Sequence, residues 1–218
     1  MLKNEAKWLG EQINKSSRNF PLLNVGSQSG YFRSKLQPHI DGYIFNVAKE
    51  KGWEVIHTDI QNDEGVDLCG DLTDLNFLDI LKNKKYNSIL CSNLLEHVDE
   101  NMRFKICEAL EDIVRPGGSI WITVPFSFPY HPDPIDTYFR PSPEGLKQCF
   151  KHCDLVSSKI IVGESILSKW KNKPIQFIKF SVRFMLPFYR FNNWKGIAHQ
   201  LMWLNKPVKT TAIQLVKR

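Results

Sequence analysis

Between Pro21 and Gly30 the chain reads PLLNVGSQSG, an apolar run that passes directly into a Gly-X-X-X-Gly turn. A strand buried on both faces of a parallel sheet reads as continuous hydrophobics, and a glycine lets the backbone turn sharply with no side chain over the turn. Such a junction offers backbone N–H groups to an adenosine-bearing ligand; taken alone it is equally a strand-to-loop turn that binds nothing. Further apolar runs follow at Trp53–His57, Tyr86–Ser92 and Gly118–Val124, separated by stretches of helical character. This alternation predicts an α/β, doubly wound, mostly parallel sheet.

Acids stand where such a sheet binds ligands. The second run ends in His-Thr-Asp, which puts Asp59 just past a strand's carboxyl end, where a carboxylate can take both hydroxyls of a ribose. Asp71, in VDLCGDLTD, holds a similar place after a short third run. The stretch YNSILCSNLLEHVDE, Tyr86–Glu100, reads as a buried strand, a turn and a helix, and in IVRPGGSIWITVP the residues Pro116-Gly117-Gly118 turn into a fifth strand.

In these elements the chain resembles the class I S-adenosylmethionine-dependent methyltransferases, in particular the branch with LLEHV after the fourth strand and Pro-Gly-Gly before the fifth. The resemblance covers Pro21–Val162 and a final strand at Thr210–Lys217. It implies a Rossmann-like methyltransferase fold with S-adenosylmethionine as cofactor. Gly26, Ser27, Gln28 and Gly30 would form the glycine loop against the methionine part. Asp59 would hold the ribose, Asp71 and Leu72 would bracket the adenine, and Ser92 and Asn93 would make the fourth-strand contacts. The chain departs from the family pattern twice. Asn24 stands where an acid is usual, keeping a carbonyl for the ligand's ammonium without the charge that strengthens such a bond, and Gln28 stands where a central glycine is usual.

Gln37-Pro38 interrupts the helix expected after the loop, because proline lacks a donor and pushes the preceding residue out of the α region. The sequence predicts a short turn over Tyr31–Leu36 and a helix over about Asp41–Lys51, with Asp41 as N-cap. With 218 residues, 42% of them hydrophobic, the chain has the material for a sizeable core and general disorder is excluded. Five cysteines, an odd count with no Cys-X-X-Cys pair and no secretory leader pattern at the start, fit a reducing, cytoplasmic setting. Cys149, His152 and Cys153 lack a second cluster of matching spacing, so no metal site is expected.

The net charge of +6 is unevenly placed. Lys159–Arg218 carries twelve Lys and Arg against Glu164 alone, a net +11 that leaves −5 for the rest. The same stretch holds nine aromatics, and on a helical wheel Phe177, Phe180, Phe184, Phe188 and Phe191 share one stripe with Lys179, Arg183 and Arg190 opposite. This divides the chain into a methyltransferase domain, 1–162 plus 208–218, and a helical, basic and aromatic insertion, 163–207. The insertion suits the surface of an anionic membrane; it equally suits a cap on the domain or a homodimer interface, and nucleic acid is the weakest partner. No apolar run approaches the roughly 20 residues of a spanning helix.

Pro125–Leu146, dense in prolines and aromatics, would lie over the sheet's carboxyl edge, where loops carry substrate contacts. Within it His131 and Asp136 are the candidate catalytic groups, either able to take a proton from a substrate hydroxyl. The plainer alternative has Asp133 and Asp136 capping turns that Arg140 neutralises. His97 reads as orienting the turn. A dinucleotide dehydrogenase is disfavoured by the lack of Gly-X-Gly-X-X-Gly, and a nucleophile elbow by Gln28 in place of serine. The expected function is O-methylation of a small molecule, glycan or lipid-linked intermediate, of the kind found in surface-polysaccharide assembly; the alternative is a methyltransferase-like scaffold without turnover.

Overall fold

The computed structural model describes residues 1–130, 135–165, 167–168, 174–186 and 203–218. Its strands are β1 (Leu22–Val25), β2 (Val55–Asp59), β3 (Leu68–Cys69), β4 (Tyr86–Ser92), β5 (Val114–Ser127), β6 (Cys153–Val162) and β7 (Lys209–Lys217). They form one sheet in the order β3-β2-β1-β4-β5-β7-β6. β1 pairs in parallel with both β2 and β4, and β7 runs antiparallel between β5 and β6. Strand order therefore reverses direction at the gap between β1 and β4, the topological switch point at which open α/β sheets form their crevice.

Successive side chains of each strand enter different cores, as the pleat requires. On one face Leu23, Val25, Ile89, Ile120, Ile122 and Ile213 pack with helices α3 (Leu75–Asn83) and α4 (Glu100–Ile113) through Phe77, Leu81, Ile106 and Leu110. On the other face Leu22, Leu90, Trp121 and Ala212 meet Ala6, Leu9 and Ile13 of α1 (Lys3–Ile13). The sequence reading left α1 out. Its Gly10 lies so close to the next segment that an added Cβ would stand 2.0 Å from the Tyr43 carbonyl oxygen.

Pro38 breaks the helix after β1 as expected, but the pieces differ. Two π-helical turns, Phe32–Leu36 and Asp41–Phe45, precede the short α2 (Asn46–Glu50). Asp41 caps nothing; its carboxylate faces the Arg33 guanidinium at 3.8 Å instead. After α5 (Pro143–Lys147), β6 and β7 form a hairpin whose two arms are joined by 163–208. Within that connection α6 spans Pro174–Phe184. Ile175, Ile178 and Val182 are all more than half exposed and fall within one stripe of about 60° on the helical wheel, and Met185 and Leu186 just past the helix are more than half exposed as well. Of the five phenylalanines predicted to share a stripe, the side chains of Phe177 and Phe180, and the whole of Phe188 and Phe191, lie outside the described residues. No helix among the described residues is long and apolar enough to cross a membrane.

Candidate active site

At the carboxyl ends of β1, β2 and β4 the structure has a cavity of about 1020 Å³. Its β2/β3 side is lined by Asp59, Asp71 and Leu72, its centre by Asn24 and Gly26–Gln28, and its β4/β5/β7 side by Ser92–Leu94, Glu96–Val98, Phe128 and Thr210. Glu5 of α1 also reaches it.

The loop after β1 is held from below. Gly26 and Gln28 are both left-handed, at φ 66° and 57°. A glutamine there carries backbone strain on the order of 1 kcal/mol, and its bulk is no obstruction, because the residue is exposed. Its N–H donates to Asp59 Oδ2 at 2.8 Å. On the opposite side the buried Arg33 guanidinium donates through Nη1 to the carbonyls of Ser27, at 3.0 Å, and Gln28, and through Nη2 to Gly65 O at 2.7 Å. Gly30 is not at the cavity. Its N–H donates to Glu64 O, and its Cα would lie 2.8 Å from a Cβ added at Gly65, so its small size serves the contact between two loops. That corrects its assignment to the ligand.

Asn24, where the family pattern has an acid, is buried and its Nδ2 lies 3.0 Å from His57 Nδ1. Burial, helped by the nearby Arg33 charge, pulls the His57 pKa down to about 4, so the ring is neutral near pH 7. A neutral imidazole either donates or accepts at Nδ1, and a side-chain amide can pair with both tautomers.

Asp59 accepts from Gln28 N on one oxygen and from Gln61 N, at 3.1 Å, on the other. A carboxylate offers about four lone-pair sites, so two remain for a ligand. Asp71 spends Oδ1 on the backbone and hydroxyl of Thr73, both at 2.8 Å. Ser92 and Asn93 line the cavity, but their side chains are held by Glu5. Its Oε1 accepts from Ser92 Oγ at 3.1 Å, Asn93 Nδ2 at 2.7 Å and Thr123 Oγ1 at 2.6 Å. Glu5 went unnoticed in the sequence although a signal exists: it shares the helical stripe of Leu9 and Ile13, an acid on an otherwise apolar face.

Of the two proposed catalytic groups, His131 lies outside the described residues. Asp136 is buried and tied by Arg140 Nη2 at 2.6 Å and by the Tyr138 N–H at 2.9 Å. It is absent from the cavity lining among the described residues, and its contacts are those of a turn-forming carboxylate. His97 Nδ1 bonds the carbonyl of Ile135, which anchors the LLEHV turn to this same loop. Arg103 secures the turn from α4, donating to Leu95 O at 3.1 Å and Val98 O at 3.0 Å. Among the described residues no three His, Cys, Asp or Glu side chains converge into a metal site.

This fold is shared with solved structures. The chain has the methyltransferase fold. It is similar to a protein assigned as a sarcosine dimethylglycine methyltransferase from Galdieria sulphuraria, at TM-score 0.58 and 12% identity over 98% of this chain and 85% of that one. It is similar to the MccD protein at TM-score 0.59 and 14% identity, over 98% and 96%. A third likeness is to coclaurine N-methyltransferase, crystallised with N-methylheliamine and S-adenosylhomocysteine, at TM-score 0.55 and 13% identity over 98% and 70%. No family model and no curated protein matches the sequence. Within the methyltransferase fold this chain's cavity is acidic: Glu5, Asp59, Asp71 and Glu96 line it, and its one arginine, Arg33, is engaged with carbonyls.

Proposed function

We propose that the chain is an S-adenosylmethionine-dependent methyltransferase acting on a heteroatom of a small-molecule, glycan or lipid-linked acceptor. The observation that carries this reading is Asp59, a carboxylate at the end of β2 that fixes the glycine loop through Gln28 N–H and keeps lone pairs for a ribose diol. The remaining donor set fits the cofactor. Leu72 offers an apolar wall for adenine beside Asp71, Asn24 and the loop Gly26–Gln28 flank the methionine position, and acidic walls suit a ligand that carries ammonium and sulfonium charges.

When bound, the cofactor supplies a methyl group already activated as a sulfonium, so alignment of the acceptor and exclusion of water can provide much of the acceleration. The chain's residues divide that work by position. The β2/β3 side holds the nucleoside, and Phe128, Val98 and Met102 give the β4/β5/β7 side an apolar surface for the acceptor. One of the similar solved structures named above is an N-methyltransferase, and the pairing of Asp136 with Arg140 makes Asp136 a poorer proton acceptor for a substrate hydroxyl.

The exposed aliphatic stripe of α6, together with the basic charge of its segment, supports action at an anionic membrane surface. Calorimetric titration with S-adenosylmethionine and S-adenosylhomocysteine tests the central reading. Micromolar binding is expected for both, and the absence of binding at millimolar ligand would overturn it. Binding without methyl transfer to any acceptor in a cell extract would favour the scaffold alternative.

A further inference from the structure

Glu96 is an anomaly of this cavity. Its side chain is fully buried, and neither carboxylate oxygen is within hydrogen-bond geometry of a donor on another residue; only its own backbone N–H acts on it. Buried polar groups are nearly always satisfied, and an exception in a cavity wall points to a missing ligand. The turn that carries it is braced by Arg103, and by Thr137, whose N–H donates to the Glu96 carbonyl at 2.9 Å, so the carboxyl is held in place by more than its own contacts. Its surroundings are negative on balance. Glu5 faces it from α1 and Asp136 from the loop after β5; Arg140, which raises no hydrogen bond to it, is paired with Asp136, and His97 Nε2 stands 3.8 Å from Oε1. Burial, opposed by a hydrogen bond from Glu96's own backbone N–H and by Arg140 and reinforced by Glu5 and Asp136, pushes the carboxyl's pKa up to about 8. Beside the polar Ser92, Asn93 and Thr210, this side of the cavity presents the apolar Leu94, Val98, Met102, Ile106 and Phe128.

Resting on the methyltransferase reading, we propose that the β4 side of the cavity takes an amine, with Glu96 as the counter-ion of its ammonium form and the acceptor of its proton. A buried carboxyl that meets no donor from another residue gains most from a partner that brings both a charge and N–H groups, which a hydroxyl does not. Binding of the ammonium expels the proton Glu96 holds at neutral pH. Glu96 then takes one N–H proton, freeing the nitrogen lone pair to form the N–CH₃ bond as the S–CH₃ bond breaks and its electron pair stays on sulfur. The positive charge passes from sulfur to nitrogen, beside the carboxyls of Glu96 and Glu5, and a proton affinity near neutrality suits an acid that must both release and accept.

The test uses the full chain saturated with S-adenosylhomocysteine and matched probe pairs that differ in one group, ethanolamine with ethylene glycol and benzylamine with benzyl alcohol. The amine of a pair is expected to bind roughly tenfold or more tightly than the alcohol. It should release a proton at pH 7, read by calorimetry in buffers of different ionisation enthalpy, and Glu96→Gln should abolish both the preference and the release. No amine preference in any pair, or the same preference in Glu96→Gln, overturns the proposal. A second measurement needs no probe: ¹³C NMR of the labelled side-chain carboxyls should show one group titrating near pH 8 that is missing from Glu96→Gln, and titration of Glu96 in the ordinary carboxylate range refutes the assignment. Failure of S-adenosylhomocysteine to bind in the first place would instead overturn the methyltransferase reading.

Discussion

Glu96→Gln should stabilise the protein, and by an amount that depends on pH. The substitution swaps a carboxyl that meets no donor from another residue for a neutral amide of the same shape. In the folded chain the carboxyl keeps its proton up to about pH 8, whereas in the unfolded chain it loses it at the ordinary 4.5. Between those values the native state binds one proton more than the unfolded state, so wild-type stability falls as pH rises. At about 1.4 kcal/mol per pH unit, the deficit caused by Glu96 is near zero below pH 4.5, about 3 kcal/mol at pH 7 and about 5 kcal/mol above pH 8. Urea unfolding of both proteins at pH 5, 7 and 9 reads the difference directly. The variant should be only slightly more stable at pH 5, with the margin growing at each step. A margin that is the same at pH 5 and pH 9, or a variant less stable throughout, would show that Glu96 is ionised and partnered in the native state and would refute the reasoning.

Three further outcomes follow from other parts of the molecule. Asp59→Ala should weaken S-adenosylhomocysteine binding by about 1 to 3 kcal/mol through loss of a charged acceptor, and unchanged affinity in calorimetry would remove Asp59 from the site. Gly10→Ala drives a methyl group into the Tyr43 carbonyl and should cost about 1 to 3 kcal/mol or more, seen as a lowered urea midpoint; a neutral result would show that α1 does not pack as described. Replacing the exposed Ile178 and Val182 with serine should leave stability within about 0.5 kcal/mol and reduce cosedimentation with phosphatidylserine vesicles. Full retention on the vesicles would discard α6 as a membrane contact.

The sheet was legible because its strands announce themselves locally. Leu22–Val25 is buried on every residue, and only Asn24 interrupts its hydrophobic run up to Gly26. Asp59 was legible for the same reason, since a strand end and the acid after it are neighbours in sequence. Groups that meet across the fold were not. Glu5 reaches Ser92 from 87 residues away, and nothing near either residue announces the other. Asp136 carried two readings of equal chemical sense, and its ion pair with Arg140, four residues on, favours the turn-forming one. Gln28 looked like an intrusion because the sequence says nothing of φ or of which way a side chain points. Arg33, which holds the loop's carbonyls, stands in a segment whose π-helical turns have no simple periodicity to read.

The hairpin of β6 and β7 has a consequence for how such a chain can change over time. Val162 and Lys209 are register partners, and the Gly163 N–H donates to Val208 O at 2.8 Å, so the long excursion between them departs from and returns to a single closed rung of the ladder. With its ends already fastened, its length is nearly free of thermodynamic consequence, each doubling adding only about 0.6 kcal/mol of closure entropy. The strands need not register what is spliced in at that rung, which sits beside Pro125 and Thr210 at the rim of the crevice. An ancestral short turn there could be exchanged for segments of any composition, making the outer hairpin a cassette through which one catalytic core acquires new surroundings.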